Sequence, residues 1–249
     1  MITLQKAGDE DNSISYKNLI EGAAGYAKTY AQQGIQPGEV VILILQHGID
    51  LVYAFWGAVL HGAIPSIMPY LTEKLLPERY RHDLEALISV TRPVAIVTYP
   101  EFEVEVRPAL KERDSVRTLI LSDSVEQPCQ PDFDQLGGMQ RDPDDIVLLQ
   151  HSSGTTGLQK GVALSHQAVF NQLANLCAAL DYTKEDVIVS WLPLYHDMGL
   201  IAGFILPILT GHHLVLLSPF DWVKAPQRLF HAITKYNGSL VWLPNFAYY

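Results

Sequence analysis

The stretch VVILILQHGIDLVYAFWGAVLHGAIPSIM, residues 40–68, decides the fold class. Val40 to Leu45 is an unbroken apolar and mostly branched run, the pattern of a strand covered on both faces rather than one facing water. From about Asp50 to His61 the apolar residues recur at helical spacing, and Gly62 stops the run. Ala63 to Met68 reads as another short strand. Strand, helix and strand in that order predict two parallel strands joined by a right-handed crossover.

The same rhythm extends in both directions. Ser15 is placed to cap a helix from about Tyr16 to Gln33, with Leu19, Ile20, Ala23, Tyr26, Ala27 and Tyr30 on one face and Gly34 as its stop. Leu76 to Val90 is amphipathic, and PVAIVTY from Pro93 is again a strand. Residues 122–145 break the pattern, being rich in Asp, Gln, Pro and Gly, and read as an acidic linker. Beyond them come strand Ile146 to Gln150, strand Val162 to Leu164, helix Gln167 to Leu180 and strand Val187 to Trp191. A greasy helix to about Leu209, strand Leu214 to Leu217, helix Trp222 to Tyr236 and strand Leu240 to Leu243 follow. The fold expected is a three-layer α/β body with mainly parallel sheets and flanking helices. It divides into a first sheet subdomain at 1–121, the linker, and a second, incomplete part at 146–249. The last segment, PNFAYY, is apolar and uncapped after a buried strand pattern, which reads as a cut through something longer and predicts self-association through the exposed faces.

Composition narrows the function classes. The 249 residues are 48% hydrophobic, enough to build a core, and the net charge of -10 opposes any broad nucleic-acid surface. All the excess acid lies early: residues 1–145 carry 12 basic and 22 acidic side chains, residues 146–249 carry 5 of each with six of the nine histidines. A small anion could therefore be held locally in the second part. Cys129 and Cys177 are too few for a disulfide framework or a thiolate zinc site, so a reducing compartment is the default. The start lacks a secretory signal, and the longest greasy run, Met198 to Leu209, is shorter than the roughly 20 residues of a membrane span. The expectation is a soluble cytoplasmic protein.

The chemistry concentrates in HSSGTTGLQKGV, His151 to Val162. Ser152, Ser153, Thr155 and Thr156 supply hydroxyl donors, and Gly154, Gly157 and Gly161 let backbone N–H groups approach an anion. Lys160 adds one point charge. An ordinary hairpin turn needs only one or two glycines. A P-loop needs Gly-Lys-Ser/Thr five residues after its first glycine, but here Gln159 stands there and Gly161 follows Lys160. The next residues read as a strand, so the anion is held between strands without a helix dipole.

Ser152 to Gly161 resembles the phosphate-binding signature of the AMP-forming adenylating enzymes, which include acyl-CoA synthetases, peptide-synthetase adenylation domains and luciferases. It departs from the pattern only in having Gln159 where the family has proline. The second stretch, WLPLYHDMGLI from Trp191 to Ile201, is similar to the superfamily's next motif, and the wording LPLYHDMG is closest to fatty acyl-AMP ligases. His196 beside Asp197 would by itself be read as an acid/base pair, a pocket wall or a structural pair, since adjacent residues seldom chelate one metal. ISYKNL, QPGEVVILILQHG, AFWGAVLHGAIP and SPFDWVKAPQRLFHAITKYNGSLVWLPNFAY resemble successive blocks of the same group, so the likeness covers the whole chain.

The resemblance implies a carboxylate attacking the α-phosphorus of ATP to give acyl-AMP and pyrophosphate. It implies ATP phosphates on Ser152, Ser153, Gly154, Thr155, Thr156, Gly157 and Lys160, with Lys160 and His196 catalytic and His196 by the carboxylate or α-phosphate. It implies Mg2+, whose ligand motif does not occur here, and no metal site is expected within the chain. The acyl group would come from a fatty acid and pass to CoA or an acyl carrier protein. The later motifs for adenine, ribose and the mobile catalytic lysine do not occur before Tyr249, so the chain by itself is expected to be inactive in adenylation. Two other readings stay open: an adenylation domain for an amino or aryl acid, and a short non-catalytic nucleotide-binding scaffold protein. No Gly-x-Ser-x-Gly elbow supports a hydrolase. His212 and His213 read as structural, and the greasy run ending at Leu209 suits an acyl tunnel and plain core packing equally.

Overall fold

The computed structural model describes residues 1–5, 10–70, 76–111, 115–152 and 160–248, without the side chains of Ser152, Lys160 and Tyr248. In chain order the strands are β1 (Ile2–Gln5), β2 (Asn12–Ile14), β3 (Val40–Ile44), β4 (Ile64–Ile67) and β5 (Ala95–Thr98). Then come β6 (Thr118–Leu121), β7 (Ile146–Ser152), β8 (Lys160–Ser165), β9 (Val187–Ser190) and β10 (His213–Leu217). The helices are α1 (Tyr16–Gln32), α2 (Ile49–His61), α3 (Pro77–Thr91), α4 (Glu103–Val106), α5 (His166–Ala179) and α6 (Leu206–Leu209). α7 (Pro219–Lys224) and α8 (Gln227–Tyr236) follow, and a π-helical stretch, Met198–Ile205, runs into α6. Contacts divide the chain into two units: Met1–Asn18, His47–Ile49 and Gln167–Tyr249 in the first, Leu19–Gln46 and Asp50–His166 in the second.

The second unit holds the stretch that decided the class. β3 pairs in parallel with β4 and β5, and β5 with β6, giving the order β4-β3-β5-β6. Val41, Ile42, Leu43 and Ile44 are all fully buried, so both alternating sets of side chains on β3 are covered, as the unbroken run predicts. One set meets α3 and α4: Ile42, Ile44 and Ile96 share a core with Tyr80, Leu84, Ile88, Phe102 and Val106. α1 and α2 pack closely because Gly57 has no side chain; a Cβ there would fall 2.5 Å from Tyr26 Cβ and 2.7 Å from the Ala23 carbonyl. Tyr30 Oη, fully buried, donates to the Ala54 carbonyl at 3.1 Å, so its polar end is satisfied inside the core.

Composition divides the chain at 122–145, but contact divides it elsewhere. The segment lies against α1 and α2 within the second unit: Gln130 Nε2 donates to Glu21 Oε1 at 2.6 Å and Cys129 N–H to the Glu21 carbonyl at 3.0 Å. Gly138 sits where a Cβ would meet the Val59 carbonyl at 2.1 Å, a close approach that only glycine allows. The glycines and turn formers that resemble a linker serve here as a strap laid on helices.

In the first unit the sheet order is β2-β1-β10-β9, parallel except for the antiparallel β1–β2 pair. The sequence reading had no strand at β1 or β6. It expected one helix from Trp222 to Tyr236, whereas α7 ends at Lys224 and α8 begins at Gln227. Pro226 explains the break: its ring disfavours helical geometry at the preceding residue, and Ala225 adopts φ -148, ψ 74. The strand expected at 240–243 is reduced to a single parallel bridge between Ile188 and Leu240.

Candidate functional site

β7 and β8 form an antiparallel pair whose register runs from Ile146↔Ser165 to His151↔Gly161 and Ser152↔Lys160. The strand pair on either side of the glycine-rich stretch is thus what the sequence spacing predicts. Ser153, Gly154, Thr155, Thr156 and Gly157 lie outside the described residues, and Ser152 and Lys160 are placed by their backbone alone. What the described part adds is the setting of His151, near which, as near Tyr195, the sequence reading expects the pocket. Both its ring nitrogens are shut off from water and have no hydrogen-bond partner among the described residues. Burial lowers its pKa below the ordinary imidazole value, because the charged ring loses its water. A Cβ on Gly161 opposite would make only ordinary contact with His151 Cε1 at 3.7 Å and would sit tighter against Leu149 Cδ1 at 3.2 Å. The only signal in the sequence was position, one residue before the loop.

His196 stands at the other predicted stretch, in the first unit. β9 runs into Trp191, Leu192 and Leu194, all buried, and these anchor a turn that leaves His196 and Asp197 exposed. The turn follows the carboxyl end of a parallel strand, where open α/β sheets present ligand-binding residues. His196 N–H donates to the Pro193 carbonyl at 3.1 Å, and the His196 carbonyl accepts from Leu200 N–H at 2.8 Å. Asp197 Oδ1 lies 2.7 Å from His196 Nδ1 and accepts from Met198 N–H at 2.7 Å, so it orients the ring and caps the π-helical stretch together. Nε2 has no partner among the described residues. Both side chains are exposed, so the contact adds little to stability and its value is geometric. Tyr195 beside it is partly buried, and burial raises its phenol pKa.

Two other histidines of this unit, His212 and His213, are tied up. His212 sets Nδ1 2.8 Å from Thr210 Oγ1 and Nε2 2.7 Å from the Thr183 carbonyl, under the Tyr182 ring at 4.1 Å. His213 reaches Thr3 Oγ1 at 3.0 Å across to β1. The π-helical stretch and α6 are mostly buried, with Phe204 and Leu206 fully so. Among the described residues no group of three His, Cys, Asp or Glu side chains could hold a metal ion, so these residues offer no built site for the implied Mg2+. Among the same residues no helix is long and apolar enough to cross a membrane.

Comparison with known proteins gives one consistent answer. The AMP-binding enzyme family matches residues 2–248. The long-chain-fatty-acid–AMP ligase FadD26 of Mycobacterium marinum is 31% identical over 95% of this chain and 40% of its own length. The medium-chain-fatty-acid–[acyl-carrier-protein] ligase JamA of Moorena producens is 27% identical over 98% of this chain and 41% of its own. Among solved structures, the fatty acyl-adenylate ligase from L. pneumophila, in complex with acyl adenylate and pyrophosphate, superposes with a TM-score of 0.81 at 28% identity, covering 99% of this chain and 42% of that one. The chain therefore spans about two fifths of the length of the curated relatives it matches.

Proposed function

The chain belongs to the AMP-binding enzyme family, and from that premise we propose that it supplies the phosphate-gripping and acid-facing part of an AMP-forming fatty acyl ligase. In the reaction a carboxylate oxygen bonds to the α-phosphorus of ATP, the bond to the β-phosphate oxygen breaks, and pyrophosphate leaves with that electron pair. Such a transfer asks the protein for alignment and for charge placed where it develops. The β- and γ-phosphates fall to the hydroxyls of Ser152, Ser153, Thr155 and Thr156 and the amides of Gly154 and Gly157, with Lys160 opposing the charge that pyrophosphate gathers. Nε2 of His196 faces the carboxylate or the α-phosphate.

The observation that carries the reading is the Ser152↔Lys160 pairing: it brackets a hydroxyl- and glycine-rich stretch between two strands, in a chain matched to this family almost end to end. Mg2+ would travel with ATP. The acceptor of the acyl group is CoA or an acyl carrier protein, and the name of JamA favours the second. Cys129 and Cys177, both free, suit a cytoplasmic setting. The test is pyrophosphate release by the complete ligase carrying these residues, run over a fatty-acid length series and against amino and aryl acids. Fatty acids should turn over, and Lys160→Ala should slow them on the order of a hundredfold. Preference for an amino or aryl acid would replace the substrate class, and unchanged release by Lys160→Ala would remove the phosphate assignment.

A further inference from the structure

We infer that Gly199 is a positioning residue for His196, holding the imidazole through the backbone of the turn before the π-helical stretch. The inference rests on the reading that His196 faces the reacting acid, and it names what sets that ring's place. A Cβ on Gly199 would lie 2.2 Å from the Pro193 carbonyl oxygen, 3.0 Å from its carbon and 3.1 Å from Leu192 Cβ. The first two are backbone atoms, which cannot rotate out of the way. Gly199 itself has no left-handed backbone, so the need is for space and not for conformation.

The same Pro193 oxygen accepts the His196 N–H at 3.1 Å, while Leu200, one residue past Gly199, donates to the His196 carbonyl at 2.8 Å. His196 is thus pinned on both sides of its Cα by partners whose spacing exists only while residue 199 has no side chain. Asp197, fixed to Met198 N–H in the same turn, then takes Nδ1. A methyl at 199 pushes Pro193 and the start of the helix apart, and the ring moves with them. Gly203, four residues on, is crowded less severely and by a side chain: its Cβ would meet Ser190 Oγ at 2.6 Å and Cβ at 3.3 Å, on β9, and the Met198 carbonyl only at an ordinary contact of 3.7 Å.

That difference supplies the control. The 249-residue chain, labelled with 15N at histidine, is compared as wild type, Gly199→Ala and Gly203→Ala, with the His196 ring signals assigned from their loss in His196→Gln. Gly199→Ala should shift both His196 ring nitrogens and weaken the Asp197 contact at Nδ1, while Gly203→Ala should leave them where they are. Signals unmoved by Gly199→Ala, or moved as much by Gly203→Ala, would overturn the inference. If Gly199→Ala does not fold, the wild type decides: a scalar coupling from the His196 amide nitrogen to the Pro193 carbonyl carbon and slow exchange of that amide are required, and their absence overturns it. No substrate enters these readouts, so a failure here leaves the adenylation reading to its own assay.

Discussion

His47 follows β3 and keeps Nε2 away from water with no hydrogen-bond partner among the described residues, and burial pushes its pKa down from 6.5 to about 4. The unfolded chain therefore takes up this proton before the folded one does, so its contribution to stability is complete above pH 6.5 and is lost as pH falls toward about 4. His151 shifts in the same direction for the same reason. Carboxylates such as Glu39, held low by Arg117, weaken the fold further as they protonate, so the wild-type slope is a composite. His47→Gln removes one component: urea midpoints followed from neutral pH to about pH 4 should fall less steeply in the variant, and parallel slopes would contradict the assignment. At this scale the sequence was partly readable. It marked His196 and Asp197 as neighbours, but not that one carboxylate oxygen would serve both the ring and the Met198 amide, because that depends on how the turn closes.

At the scale of elements, the sequence placed α1 by its cap. Asn18 N–H donates to Ser15 Oγ at 3.1 Å, and Ser15 N–H returns to Asn18 Oδ1 at 3.1 Å, a reciprocal box with Asn in the place Glu or Gln more often takes. Ser15→Ala should cost about 1 kcal/mol in chemical denaturation. Because the two side chains act as one unit, Ser15→Ala with Asn18→Ala should cost less than the two singles added, and strict additivity would show that the box is not formed. β3, α2 and β4 were readable for the same local reason, since each carries its period and its stop within its own residues. β1 was not: its four residues are too few to show a period, and the partner that makes them a strand begins at Leu214. The π-helical stretch was read only as a greasy helix, since nothing in MGLIAGFI separates that geometry from an ordinary helix until Gly199 and Gly203 are packed against their neighbours.

At the scale of the whole molecule, the alternation of strands and helices carried the class, while the division into units followed contact rather than composition. The strap at 122–145 has a linker's residues because close backbone approach and chain reversal call for the same amino acids. Charge splits along the sequence and not between the units: the acidic excess is confined to residues 1–145, while β7 and β8, from the neutral remainder, belong to the same unit as Asp50–Asp145. The central claim is that the connection between β7 and β8 grips the terminal phosphates of a nucleotide. Titrating pyrophosphate into the 15N-labelled 249-residue chain tests it directly. Amide shifts should centre on His151, Ser152, Lys160 and Gly161 and vanish in Lys160→Ala. Shifts that map elsewhere, or that survive the loss of that ammonium group, would contradict it.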